Sequence, residues 1–509
     1  LQSRGLGDVY KRQAHNNLET FMAYSCMTSA SEFLSVSFYS SDITGTTYQP
    51  SEIVLQCKKV FKNIIAYDKF DFDGKKESMY ALRPAFDTVA DMIGKGKKVP
   101  ESLLEIFAQN PEYSAKLDSL INAKDKVPFK IFDKKNAEKL FGKNLNISAS
   151  QLEKFNLCRF SYFCNYGLNV RERQRAEINP MQYGTIVHYI LERFFGEYTK
   201  EEYLSLEEDK FQKIVCAYLA EYAVKYFGEE QLESNSFTYR LKTILDNVMY
   251  LMKHIMEELS QSEFFVADCE LKIGEDIPSY TIVLPDGHKI AVCGSVDRVD
   301  IMPRADITYL RIIDYKTGTK QFKLSDILYG INLQMLLYLH SIEASGCDKY
   351  GEIVPAGILY MPATVPYISS DSLKSIDKLP DELNKKLKMN GLLLKDTEII
   401  HGMDKTDAAT YIPVKIKAGE PVSSTSLATL AEFGKIFKKV DMLIAEMGKN
   451  IYSGNIEAKP LKGGHDSCEY CPYDSVCAYK QSNPITCFSV DNKTVIEEIT
   501  NEINGKEEE

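Results

Sequence analysis

No run of apolar residues in this 509-residue chain approaches the roughly 18 needed to span a membrane. The N-terminus also lacks the basic start and apolar stretch of a signal peptide. The cytoplasm is therefore the expected compartment. There is no G-x-x-x-x-G-K-S/T phosphate loop: "IGKGKK" at 93–98 has neither the spacing nor the hydroxyl residue, so this polypeptide is not expected to hydrolyse ATP. Internal repeats are absent, and low-complexity sequence is confined to the end, "NGKEEE". The net charge of −11 excludes a uniformly basic coat for nucleic acid, while leaving room for a local basic groove on an acidic body. Cysteine is sparse, and twelve at irregular spacing in so large a chain point to thiols plus a metal site rather than a disulfide framework.

The composition, 44% hydrophobic and 26% charged, is that of a globular protein. The length suggests about two to four domains. Residues 1–13, "LQSRGLGDVYKRQ", do not read as the start of a domain and resemble a cloning or assembly scar. Residues 14–66 combine a strand-like "FMAYSC" with a Pro-capped helix, "QPSEIVLQCKKVF", are too short to be a domain and read as the tail of something cut off upstream. Residues 67–144 are helical with Lys-rich, Pro-punctuated connections, as expected of a linker region. A denser domain is expected over 145–490, opening at "LNISASQLEKF" with Ser148 as an N-cap. Helices dominate to about 262 and strands follow to 316. A long helix is predicted near 324–344, a strand at "AGILYMP", a helix near 425–450 and a charged tail over 491–509. Strands in the middle with helices on both sides predict an α/β domain.

Within it, "VCGSVDRVDIMPRADITYLRIIDYKTG" (292–318) reads as two strands joined by a polar turn. Asp314 and Lys316 are two apart and leave the same face of the second strand. They form either a solvated ion pair at a strand end or part of a site. Asp297, predicted near the end of the preceding strand, favours a site: in a hairpin, Asp297 and Asp314 could converge on one hard cation such as magnesium. Lys316 beside it could orient water and stabilise charge on a phosphate. The helix "YGTIVHYILERFF" (183–195) puts Ile186, Val187, Ile190, Leu191 and Phe194 on its apolar side. Gly184, His188 and Glu192 lie along another stripe, and a glycine one turn before a histidine suggests a close approach. His188 is either a packed core histidine or a ligand. Gln334 and Tyr338, i and i+4 in "QMLLY", complete the set.

"CEYCPYDSVC" (468–477) holds Cys468, Cys471 and Cys477, one ligand short of a four-thiolate site. Zinc, with His465 as a substitute ligand, and free thiols are the alternatives to an iron-sulfur cluster that cysteines alone cannot separate.

In this order and spacing, "GTIVH", "GSVDRVD", "IIDYKTG" and "QMLLY" resemble the RecB-like branch of the PD-(D/E)XK nuclease superfamily. That resemblance implies a restriction-endonuclease-like central mixed sheet flanked by helices, with large helical insertions. It implies that His188, Asp297, Asp314 and the backbone carbonyl of Tyr315 bind a divalent metal, with Lys316 as the catalytic lysine. Gln334 and Tyr338 match the supporting helix motif, and Glu270 in "FFVADCELKI" matches an acidic residue that precedes the hairpin. Cys158 ahead of this core and the triplet behind it resemble the iron-sulfur nucleases of the AddB type. "AEKLFG", "NGLLLKDTEIIHGMD" and "SGNIEAKPLKGGHDSCEYC" add to the likeness. Arg159 departs from the family's proline after the first cysteine.

The implied cofactors are Mg2+ and a [4Fe-4S] cluster on Cys158, Cys468, Cys471 and Cys477, with Cys164 and Cys487 outside the set. Such a clip would close a loop of about 310 residues, which costs roughly 3 kcal/mol more in chain entropy than closing one of about 10. The implied activity is exonucleolytic hydrolysis of single-stranded DNA delivered by a helicase. It would act on the 5′-terminated strand during double-strand break repair by homologous recombination, in a heterodimer with an AddA-type helicase-nuclease. A stand-alone iron-sulfur exonuclease of the CRISPR-adaptation type, and a non-catalytic scaffold for DNA, are the competing readings.

Overall fold

The computed structural model describes residues 19–39, 47–61, 64, 80–94, 97–122, 131, 133–171, 180–227, 235–318, 321–365, 379–406, 408–417, 419–423, 425–477, 479 and 484–507. The stretch read as a scar, 1–13, lies outside them. The chain divides into two compact units, Leu1–Val127 and Pro128–Glu509.

In the first unit, "FMAYSC" is helical rather than extended, with Thr28 Oγ1 donating back to the Tyr24 carbonyl four residues earlier. The aromatic residues that suggested a strand, Phe21 and Tyr24, are exposed. Further on, α1 (Leu82–Gly94), α2 (Glu101–Gln109) and α3 (Ser114–Asn122) pack around Phe86, Phe107 and Tyr113. The region read as a linker thus has a small core of its own.

The second unit begins earlier than the expected domain. It already includes α4 (Lys134–Phe141) and β1 (Asn144–Ile147). Then follow α5 (Ala149–Leu157), α6 (Pro180–Glu197), α7 (Glu208–Phe227) and α8 (Asn235–Ser260). Ser148 does cap α5, in a reciprocal box with Gln151. The strands are β2 (Phe265–Ile273), β3 (Thr281–Val283), β4 (Lys289–Val292), β5 (Gly294–Arg304) and β6 (Ile307–Lys316). After α9 (Gln334–Ser345) come β7 (Glu352–Pro362), β8 (Asn390–Leu394), β9 (Leu427–Ala428) and α10 (Leu430–Tyr452). Then β10 (Leu461–Gly463), β11 (Ile485–Cys487) and α11 (Asn492–Glu507) close the described chain.

Six strands form one mixed sheet in the order β9-β8-β7-β6-β5-β2. β5 and β6 are an antiparallel pair, whereas β6 and β7 run parallel and need the crossover that carries α9. Ile312, Ile313, Ile358, Leu359, Leu392 and Leu393 are fully buried, so the central strands are covered on both faces and read as continuous apolar runs. The apolar side of α6, Ile186, Val187, Ile190, Leu191 and Phe194, is buried as its spacing predicts. Each such side chain contributes about 1.5–3 kcal/mol by leaving water.

Two predicted elements change. The long helix at 324–344 is broken into a 3-10 turn, Leu324–Tyr329, and α9. Gly330 between them has φ +69°, and a Cβ there would run into the Asn156 side chain. Residues 491–509, read as a charged tail, mostly form α11: Val495 and Ile499, four apart, are fully buried, and Glu502 pairs with Lys439 at 2.6 Å. Among the described residues no helix is long and apolar enough to cross a membrane.

Candidate active site and cysteine clasp

Alternation along β5 and β6 sends Asp297, Asp314 and Lys316 to one face of the sheet and Arg298, Asp300, Arg311 and Tyr315 to the other. Asp297 lies near the start of β5, not the end of its strand as predicted, because the chain enters β5 beside the end of β6. The Tyr315 N–H donates to Asp297 Oδ2 at 3.0 Å, which holds Asp297 beside the end of β6, and the charge of Asp314 bears on it, although Asp314 is not in the group of described ligand atoms that lie within 4.8 Å of one another. Lys316 Nζ lies 2.5 Å from Asp314 Oδ2 and 5.9 Å from the centroid of the Tyr360 ring.

From α6, His188 reaches the same place. Its Nδ1 lies 2.8 Å from Glu270 Oε1 and its Nε2 lies 3.6 Å from Asp297 Oδ2. Ser295 Oγ donates to the other Glu270 oxygen at 2.8 Å. Glu270 sits in a strand yet has φ +50°, a conformation a non-glycine residue adopts only when its surroundings enforce it. The kink accompanies a carboxylate that orients the imidazole, leaving Nε2 facing Asp297 in the pattern by which carboxylates align metal-binding histidines. Among the described residues, His188, Glu270 and Asp297 are the group whose ligand atoms all lie within 4.8 Å of one another. Two carboxylates and an imidazole form a donor set that fits a divalent cation.

The electrostatics agree with a site built for positive charge. Burial first, then the charge of Asp314, pushes the Asp297 carboxyl up to about 7. Burial opposes charge on His188, but the Glu270 bond and the charge of Asp297 outweigh it and hold the imidazole above its usual range. Glu270 is likewise desolvated, and its bonds from His188 and Ser295 nevertheless keep it below the usual carboxylate range.

Gly184, expected at a close approach, would place a Cβ 3.8 Å from Thr317 Cγ2, an ordinary contact. The tight glycine is instead Gly294, at the start of β5. It has φ +156°, and a Cβ there would collide with the Tyr338 hydroxyl. Gly294→Ala is therefore expected to shift Tyr338 or β5 and to destabilise the protein by about 1–3 kcal/mol, measured by urea unfolding; an unchanged midpoint would remove Tyr338 from this role.

Tyr338 and Gln334 belong to a second layer of support. Burial pushes the Tyr338 hydroxyl up to about 12, against a hydrogen bond from the Ala149 N–H, one of the unpaired donors at the start of α5. In return, α5 supplies Glu153, whose Oε1 accepts from the Leu333 N–H at 2.9 Å just ahead of α9, and Asn156, whose amide donates to the Gly330 carbonyl at 3.0 Å. Gln334, the first residue of α9, is thereby placed by α5. Sequence reasoning missed Glu153, which lies in no quoted motif, and Ser295, which stands inside "GSVDRVD" beside the more conspicuous Asp297; the "SASQLE" capping pattern was the available signal for the first. It also missed a buried quartet behind the site. Arg298 and Arg311, both fully buried, share Asp300 and Glu258 at 2.6–3.1 Å, and Arg298 Nη1 lies 3.4 Å from the Tyr315 hydroxyl.

The end of α5 leads to the cysteines. Cys158 is its C-cap, and Ser467 Oγ donates to the Leu157 carbonyl at 3.1 Å, so the residues preceding Cys158 and Cys468 are joined directly. Cys158, Cys471 and Cys477 pack into one cluster with Phe160 and Tyr473. Cys468 is close enough to Cys471 and Cys477 for charge on one thiol to bear on the others.

The α/β sheet with two aspartates, a lysine and a histidine at one end is the arrangement of a nuclease class of enzyme. The chain belongs to the PD-(D/E)XK nuclease superfamily, whose family model matches residues 146–478. It is similar to curated proteins named as the B-type subunits of ATP-dependent helicase/deoxyribonucleases. It is 30% identical to that of Clostridium acetobutylicum over 99% of this chain and 45% of the relative. It is 31% identical to that of Clostridium kluyveri over 100% and 46%, and 30% identical to that of Thermoanaerobacter sp. over 91% and 42%. The chain thus spans about half the length of these relatives.

Proposed function

We propose that this chain carries the nuclease domain of an AddAB-type helicase-nuclease. It hydrolyses phosphodiester bonds of single-stranded DNA fed to it by a helicase, in the cytoplasm, in partnership with an AddA-type protein. The observation that carries this reading is the convergence of Asp297, Asp314, Lys316 and His188 at one end of the sheet. His188 Nε2, Asp297, Asp314 and the Tyr315 carbonyl would hold Mg2+, which when bound supplies charge neutralisation at the phosphate and activation of water. Glu270 keeps His188 aligned. Lys316, anchored on Asp314, presents its ammonium where negative charge grows on the phosphate. Gln334 stands at the start of α9 to help orient the strand. The motif resemblance to AddB-type nucleases supports cutting of the 5′-terminated strand and a role in double-strand break repair. Cys158, Cys468, Cys471 and Cys477 would bind a [4Fe-4S] cluster that clips the ends of the domain together.

The purified chain is expected to cleave end-labelled single-stranded DNA with Mg2+ and to lose that activity in EDTA; DNA binding without cleavage would leave a scaffold instead. The affinity for Mg2+ has a predictable pH dependence. Asp297 in the metal-free protein carries a proton below about 7, and His188 is held protonated in the same direction. The cation must displace both protons, so affinity rises with pH through this range and falls as pH drops below it. A calorimetric titration with proton release checks the sign, and pH-independent binding would contradict it.

A further inference from the structure

The cysteine clasp contains one thiol more than a four-thiolate site needs. Cys164, only 4% exposed, packs in the same cluster as Cys158, Phe160 and Tyr473, with Cys471 and Cys477 against it. The charges of Cys477, Cys471 and Cys158 all bear on its thiol. Cys468 is not part of that packed cluster. Its N–H donates to Asp466 Oδ1 at 2.9 Å, and Asp466 pairs with Lys462 at 2.8 Å. The backbone around Cys164 is unusual too. Phe163–Gly167 is a π-helical turn, closed by the Leu168 N–H on the Phe163 carbonyl at 2.9 Å. Such wide turns are rare and concentrate at functional sites. A buried cysteine in apolar surroundings commonly acts as a small hydrophobe, but this one faces three of the four expected ligands.

We infer that Cys164 is a fifth, exchangeable ligand of the cysteine site, able to take the place of Cys468. The inference rests on the iron-sulfur reading of that site. In the exchange one iron–sulfur bond to Cys468 breaks and one to Cys164 forms. The Cys164 thiol releases its proton as the freed Cys468 thiolate takes one up, so four thiolate bonds and the cluster charge are kept without any electron transfer.

The test uses the full chain, prepared without oxygen. Wild type, Cys468→Ser and Cys164→Ser are each expected to hold about four irons with visible absorption, whereas the double variant is expected to lose both. A colourless Cys468→Ser beside a coloured wild type, or a coloured double variant, overturns the exchange while leaving the cluster reading intact. A wild type that holds zinc and no iron overturns both. A second measurement does not depend on how the Cys468 variant folds. Chelator-driven iron loss is expected to be faster in Cys164→Ser than in wild type, and equal rates refute the spare ligand.

Discussion

Lys316→Ala is expected to lower the rate of Mg2+-dependent DNA cleavage by about 10²- to 10³-fold, the loss typical when one preorganised charge donor is removed from a transition state. The loss belongs in kcat, because the ammonium is asked to meet charge that grows during the reaction rather than to hold the ground-state strand. DNA affinity measured in Ca2+ or without metal is therefore expected to change little. The substitution also strips the buried Asp314 carboxylate of a partner 2.5 Å away, so Lys316→Met, which retains the aliphatic stem, is the cleaner variant. Asp314→Asn is expected to reach at least the same loss through weaker metal binding, seen as a raised Mg2+ requirement. Cleavage at the wild-type rate by either protein would remove the carboxylate–lysine pair from the site.

Asp300→Ala is expected to be the most destabilising single change, by about 3–5 kcal/mol. Two guanidinium and two carboxylate groups, all fully buried, balance one another in the quartet. Removing Asp300 leaves Arg298 and Arg311 with Glu258 alone, and an uncompensated charge away from water is far more costly than the pair was stabilising. The comparison that isolates this cause is a variant in which all four residues become apolar groups of similar size. It is expected to recover most of the stability. Urea unfolding followed by far-UV circular dichroism measures both proteins, and near-equal loss in the two would point to packing instead of charge.

The legible parts of the molecule were those whose chemistry restricts residue type or whose burial sets a period. Asp314 and Lys316 were readable because strand alternation puts them on one face, and α6 because its apolar spacing is helical. The side chains that hold these groups in place were less visible. Glu153 acts on a backbone N–H 180 residues away, and any acceptor at that point would have looked like an exposed helical glutamate. Arg298 and Asp300 stood within the quoted "GSVDRVD", yet their partners Glu258 and Arg311 come from a helix and another strand. The break at Gly330 was hidden because its left-handed backbone is set by Asn156 from α5. α11 was misread because charge outnumbers apolar residues along it, while two fully buried side chains suffice to dock it.

Helix α5 begins under the Tyr338 hydroxyl and ends at Cys158. Nine residues at about 1.5 Å each make it a rigid strut of about 14 Å. One tip touches the layer that shapes the cutting centre, and the other is a cysteine of the clasp. A single short helix therefore carries two bonds to the start of α9, from Glu153 and Asn156, and the cysteine that caps its far end.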